Sequence, residues 1–174
     1  MKNKTLMSVL LLSLGSLVIT ACNQDQPASK TSFAAVKKYP QATTLQGTVS
    51  NAKGAVTTGT VTATDDSGKL ISTAAVANSH YRIEIPANTV LPIVLTFASE
   101  TDSEKLSAVV IDDTINQYFI NPSTTAITKA AKAMGGYTRA NMIRAAEETV
   151  HVPDANKTST GWRGDPTTQY GGWH

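Results

Sequence analysis

From residue 43 to residue 120, apolar and polar positions alternate with a period of two. Leu45, Gly47 and Val49 alternate with Gln46, Thr48 and Ser50. Asn51-Ala52-Lys53-Gly54 follows as a turn. Val61 and Ala63 alternate with Thr60, Thr62 and Thr64 before the turn Asp65-Asp66-Ser67-Gly68. A third strand is predicted over 69–77, and Asn78-Ser79 turns it back. Tyr81, Ile83 and Ile85 then alternate with His80, Arg82 and Glu84, and Pro86 stops that strand. Further strands are predicted over 91–98, 105–111 and 115–120. Seven short strands separated by turns predict a mainly β domain over 43–122, an antiparallel seven-strand Ig-like sandwich. Its inner face is Val, Leu and Ile, and its outer face is rich in Thr.

Beyond Asn121-Pro122 the period becomes helical. Ile127, Ala130, Ala131 and Met134 form one apolar stripe, Ser123 or Thr124 is the expected cap, and Gly135-Gly136 ends the helix. Thr138 is the expected cap of a second helix from about Arg139, whose apolar face is Met142, Ile143, Ala146 and Val150. The two-helix extension thus covers 123–150. Residues 151–174 show no apolar period and are rich in Gly, Thr, Pro and Asn, which predicts a flexible tail or extended arm.

The other end of the chain reads as an address. Lys2 and Lys4 precede an apolar run from Leu6 to Ile19. That run is short for a membrane span, which needs about 20 residues, and it suits a signal peptide over 1–21. Ile19-Thr20-Ala21-Cys22 resembles the bacterial lipobox. The resemblance implies a lipoprotein: Cys22 is diacylglycerylated, the leader is cut before it, and the new amine is acylated. Asn23 in place of Asp implies sorting to the outer membrane. Residues 23–42 are polar and read as a tether from lipidated Cys22 to the domain, with a short strand at 32–36 as the alternative. Several acyl chains would hold the protein to a membrane durably, at about 0.8 kcal/mol per buried CH₂.

Composition narrows the functional classes. Hydrophobic residues make up 41% of 174 residues and aromatics 6%, which supports one modest core and argues against a large enzyme with a deep apolar cleft. The single cysteine excludes an intrachain disulfide. Removing the leader takes Lys+Arg from 15 to 13, equal to Asp+Glu, so no basic patch points to nucleic acid.

A second resemblance lies in the strands. Residues 47–54 (Gly-Thr-Val-Ser-Asn-Ala-Lys-Gly), 59–68 (Gly-Thr-Val-Thr-Ala-Thr-Asp-Asp-Ser-Gly) and 80–83 (His-Tyr-Arg-Ile) resemble carboxypeptidase-regulatory-like, transthyretin-like domains. The likeness spans about 44–122. It implies an accessory or adhesive module and carries no catalytic residue.

The remaining chemistry is sparse. His80, His151 and His174 do not share metal-ligand spacing, so neither a metal nor a cofactor is expected. Asp65-Asp66 and Asp112-Asp113 sit at strand ends, where Asp is ordinarily a turn former. Neither a Gly-x-Ser-x-Gly elbow nor a phosphate-binding Gly loop occurs, so no catalytic residue is assigned and a non-enzyme is expected. Arg163-Gly164-Asp165 is too short a match to carry weight. Trp162, Tyr170 and Trp173 are the possible binding residues, able to dock on this domain, on a partner or on glycan. The expectation is a lipid-anchored binding or assembly module with an envelope protein partner. Its rivals are a periplasmic small-ligand or metal carrier and an accessory subunit of an envelope enzyme.

Overall fold

The computed structural model describes residues 36–100, 103, 105–151 and 169–170. The leader, Cys22, Trp162 and Trp173 lie outside the described residues, as does most of the segment read as a tail. In chain order the elements are β1 (Thr43–Thr48), β2 (Ser50–Asn51), β3 (Gly54–Ala55), β4 (Thr58–Asp65), β5 (Leu70–Ala77), β6 (His80–Ile85), β7 (Ile93–Ala98), β8 (Lys105–Val110), α1 (Pro122–Ala133) and α2 (Arg139–His151).

Six strands form one antiparallel sheet in the order β1-β6-β5-β4-β7-β8, curled into a half-barrel, while β2 and β3 make a small separate hairpin. The expected antiparallel β character holds. The arrangement differs from the expected sandwich in that the main strands are hydrogen-bonded into a single sheet that closes on its own core. The seventh expected strand, 115–120, is present as an extended run rather than a regular strand. It touches β1 through two parallel bridges, Gln46 with Gln117 and Val49 with Ile120. The period-two pattern marks an extended segment there but carries no information about its parallel pairing, which stops at two isolated bridges.

The alternation explains the curl. Leu45, Val61, Ala63, Tyr81, Ile83, Ile85, Ile93, Leu95, Phe97, Leu106 and Ala108 all face one side and are buried together. The opposite side carries Thr60 exposed and Thr62, Thr64 and Thr96 half-buried. Each fully buried aliphatic side chain contributes about 1.5–3 kcal/mol, so a one-residue slip of any strand would turn this set outward.

The β5–β6 hairpin turns on Asn78 and Ser79, both at positive φ (50° and 68°), the backbone a two-residue turn between right-twisted strands requires. The folded part begins ahead of Thr43, inside the expected tether: Lys38 bridges Val90, and Tyr39 is buried in the sheet's core. The polar composition of 23–42 conceals that single aromatic anchor.

α1 is capped two residues ahead of Ser123 and three ahead of Thr124, the expected caps. Asn121 is the N-cap: its side chain accepts from the Thr124 amide, and the Thr124 hydroxyl accepts from the Asn121 amide. Pro122 occupies the first turn, where its missing N–H costs nothing. Thr124 was an expected cap and instead closes the box from inside. Thr138 caps α2 as expected, accepting from Asn141 N at 3.2 Å. A second core lies between the helices and the back of the sheet, joining Val109 to Ile127, Ala131, Met142, Ala145 and Ala146. Among the described residues, no helix is long and apolar enough to cross a membrane.

Candidate functional site

The two ends of the half-barrel are β8 and the 115–120 run. Each end strand has one row of backbone groups already paired inward. β8 pairs with β7 over residues 105–110, while the Ser107 and Val109 amides bond on the side away from β7. On the run, Tyr118 N and Ile120 N donate to Gln46 O and Thr48 O of β1, each at 2.9 Å. The outward rows, Ser107 and Val109 on one side and Phe119 on the other, are left over. Unpaired edges of this kind invite another strand.

Side chains fill both rows. Ser107 meets two threonines of α1: its N–H donates to Thr125 Oγ1 at 2.8 Å, and its carbonyl accepts from Thr124 Oγ1 at 2.8 Å. Thr125 passes its own proton to the Asn121 carbonyl at 2.7 Å. The start of the helix thus stands in for a neighbouring strand.

The rest of the seam is held by Gln169 and Tyr170. Phe119 N donates to Gln169 Oε1 at 2.8 Å. Gln169 Nε2 donates to Tyr170 Oη at 3.0 Å. Tyr170 Oη also accepts from Val109 N at 3.1 Å. One dipeptide therefore links the two ends of the sheet through three hydrogen bonds in series. Both residues are buried, Tyr170 to 1% exposure and Gln169 to 4%. The Tyr170 ring packs in the second core with Val109, Ile127, Ala131, Met142, Ala145 and Ala146. Burial pushes its phenol up to about 12, although the bonds from Val109 and Gln169 pull the other way.

Tyr170 docks on its own domain, one of the three options the sequence left open. The pull is physical: a large aromatic finds an apolar slot, and its oxygen finds a strand amide with no other partner. Gln169 gave no signal in the sequence. The only available cue was an amide side chain next to an aromatic.

A polar cluster sits where the chain leaves β8. Asp112 accepts from the Thr114 amide at 2.9 Å and hydroxyl at 2.6 Å, and pairs with Lys37 at 3.0 Å and Arg139 at 3.5 Å. The hydrogen bonds from Thr114, then the neighbouring Lys37, lower its carboxyl to about 2. Lys37 also approaches Asp113 at 3.7 Å. Close by, Tyr118 donates to the Asp112 carbonyl at 3.3 Å. The cluster ties the N-terminal segment and α2 to the β8 exit, which is a structural task.

The other residues weighed from the sequence take local roles. Asp65 accepts from Ser67 Oγ at 2.6 Å and Lys69 N at 2.9 Å, which lowers its carboxyl and shapes the turn. His80 is exposed, with Nδ1 2.7 Å from the Asn78 carbonyl. Among the described residues, no three His, Cys, Asp or Glu side chains converge as a metal site.

No protein-family model matches the chain, and no curated protein or solved structure matches it either.

Proposed function

We propose that this protein is a lipid-anchored, non-catalytic module of the cell envelope, held at the outer membrane through acylated Cys22, that binds or assembles with another envelope protein. The lipobox Ile19-Thr20-Ala21-Cys22 behind a positive start and an apolar run supports the anchor. The half-barrel with two side-chain-capped ends supports the binding role, because edge strands are where β-domains recruit partners. A transthyretin-like, Ig-related ancestry for the sheet belongs to the same proposal and rests on the Gly-Thr-Val and Asp-Asp-Ser-Gly wording of β1 and β4.

The observation that carries the reading is the seam itself, where backbone donors on both ends of the sheet are met by side chains instead of a strand. The test has two parts. Mass spectrometry of the purified product should show a chain beginning at an acylated Cys22, and Cys22→Ser should leave the membrane fraction. Cross-linking in the native envelope should then capture a second protein through residues bordering the seam. An unmodified thiol with the leader attached would remove the anchor. Recovery of this chain alone would remove the assembly role.

A further inference from the structure

We propose that the end of the half-barrel where the chain arrives from Cys22 is seated on the lipid surface, through an apolar rim formed by Val36, Leu70 and Val90. This seating rests on the lipid-anchored reading above and is independent of the seam.

Strand register defines that end. β6 finishes at Ile85, opposite Thr43 at the start of β1. Residues 86–92 then lead into β7 at Ile93, which lies opposite Asp65 at the close of β4 and Val110 at the close of β8. Leu70 opens β5 opposite Thr64, just past the 65–69 turn. Residues 37–39 lie along the 86–92 segment as a strap. Lys38 bridges Val90, Tyr39 N donates to the Thr89 carbonyl at 3.0 Å, and Leu91 N donates to the Lys37 carbonyl at 2.9 Å. The far end of the sheet carries the β2–β3 hairpin and the Asn78-Ser79 turn, joined by the bond from Val49 N to the Ser79 carbonyl.

Exposed apolar side chains segregate to the first end. Among the described residues, the large hydrophobic side chains left exposed are Val36 at 71%, Leu70 at 60% and Val90 at 49%. All three sit at the end where the strap docks, and the described residues of the far end contribute none. Val36 precedes Lys38 by two residues, so an extended strap puts it on the same face as Val90. Single exposed valines and leucines are ordinary on a soluble surface, whereas their concentration at one end marks a contact.

The chain itself supplies the occupant. Cys22 joins the described domain at Val36, which is part of the rim. Acyl chains on that cysteine therefore bring a bilayer to the end that carries the exposed apolar groups. Charge selects the mode of contact. Asp65, Asp66, Asp112 and Asp113 lie at this end and are matched by Lys37, Lys38, Lys69 and Arg139. Lys37 and Arg139 pair with Asp112 at 3.0 and 3.5 Å. An end without net charge gains nothing from anionic headgroups, so the contact is apolar side chains entering the interface of a zwitterionic bilayer.

The test uses the acylated protein in vesicles. The chain has one cysteine, at the acylation site, so an introduced thiol can be labelled alone. Val90→Cys and Leu70→Cys report on the rim, and Lys53→Cys reports on the hairpin end. Each variant, its fold checked by circular dichroism, carries a bimane label and is reconstituted into phosphatidylcholine vesicles containing a nitroxide lipid. Quenching at positions 90 and 70 should exceed that at position 53 by at least about threefold and should persist at high salt. Val36→Asp combined with Val90→Asp should bring the Leu70→Cys signal down to that of Lys53→Cys. Equal quenching at all three positions, or quenching that high salt abolishes, overturns the proposal. Disulfide-linked dimers of Val90→Cys without lipid quenching also overturn it, because the rim then serves a second copy. Mass spectrometry of the same samples separates the two readings. A product without acyl chains fails the anchor and the rim together, whereas equal quenching of an acylated product fails the rim alone.

Discussion

Tyr81 Oη donates a hydrogen bond to the Tyr118 carbonyl at 2.8 Å, joining β6 to the 115–120 run across the top of Gly47. The contact exists because β1 carries no side chain at that point. A Cβ on Gly47 would overlap the Tyr118 carbonyl oxygen and crowd the Tyr81 ring. Gly47 is thus chosen for close approach of backbone to backbone, in a strand where glycine is otherwise unfavourable.

Gly47→Ala should therefore separate the run from β1. The neighbour that must move is backbone held by bonds to Gln46 and Thr48, so relief is costly. A loss of about 2–4 kcal/mol is expected, at or above the usual range for overpacking. Denaturant unfolding measures it, and hydrogen exchange at Tyr118 and Ile120 should accelerate beyond that at Ile83. An unchanged midpoint would mean that the run is not packed on Gly47.

Tyr39 should respond in the opposite direction. Its side chain is buried, yet its hydroxyl has no hydrogen-bond partner among the described residues. Burial, then the nearby Asp113 and Asp112 charges, push its phenol up to about 12. An unpaired buried hydroxyl costs about 1–3 kcal/mol, so Tyr39→Phe should stabilise the fold by about 1 kcal/mol. Destabilisation by the same amount would reveal a partner for the hydroxyl. Tyr39→Ala, by contrast, should cost about 3–5 kcal/mol through lost packing.

Ser79 offers a second stabilising change. It holds a φ of 68° at the second position of a turn that favours glycine. Its carbonyl accepts from Val49 N at 2.8 Å, a bond that any residue preserves. Ser79→Gly should raise stability by about 0.5–1 kcal/mol, since a non-glycine residue there costs about 1–2 kcal/mol and glycine returns part of it as chain entropy. Thermal unfolding would show the gain as a rise of a few degrees.

The strands of the main sheet were legible because most of them alternate, with Leu45, Val61, Ile83 and Leu95 in phase with one interior. The sheet's closure was not. Gly47 read as an ordinary alternating position, since the residue that needs its missing Cβ, Tyr118, is 71 positions away. Val109 takes the outward phase of β8, faces the helix core and offers its amide to Tyr170, and no local pattern announces either. Local pattern reports which face a residue takes; it does not report which distant backbone arrives there. The seam residues were half legible for the same reason. Aromatic character singled out Tyr170, while Gln169 acquires its meaning only from the Phe119 amide.

Asp112 makes stability depend on pH in the acid range. Its carboxyl falls to about 2 in the folded chain, against about 3.9 for an unfolded aspartate, chiefly through Thr114 and then Lys37. A lowered folded value means the unfolded chain binds the proton first. The contribution is therefore complete above about pH 4 and disappears as pH falls toward 2. Asp112→Asn should flatten the stability profile between those limits and leave a deficit at pH 7. Lys37→Met should reproduce only part of that deficit, because the two Thr114 bonds remain. Equal profiles for wild type and Asp112→Asn would show that the cluster is not formed in solution.

Tyr170 makes the complementary claim at alkaline pH. Its phenol rises to about 12 in the folded chain because charging it would strand an anion in the second core. Here the folded state holds the proton more tightly than the unfolded chain, whose tyrosines titrate near 10. The stabilisation is complete below about pH 10 and is lost as pH climbs toward 12, with a slope of up to about 1.4 kcal/mol per pH unit for each such group. Tyr39 shares that window and Tyr81 and Tyr118 titrate higher still, so wild-type stability should fall steeply there. Tyr170→Phe should remove one proton's worth of that slope. It should also cost about 1–2 kcal/mol at neutral pH, since the Val109 amide then lies buried and unanswered. Guanidinium midpoints from pH 8 to 12 on both proteins decide it: parallel curves would mean that Tyr170 spends its time outside the seam.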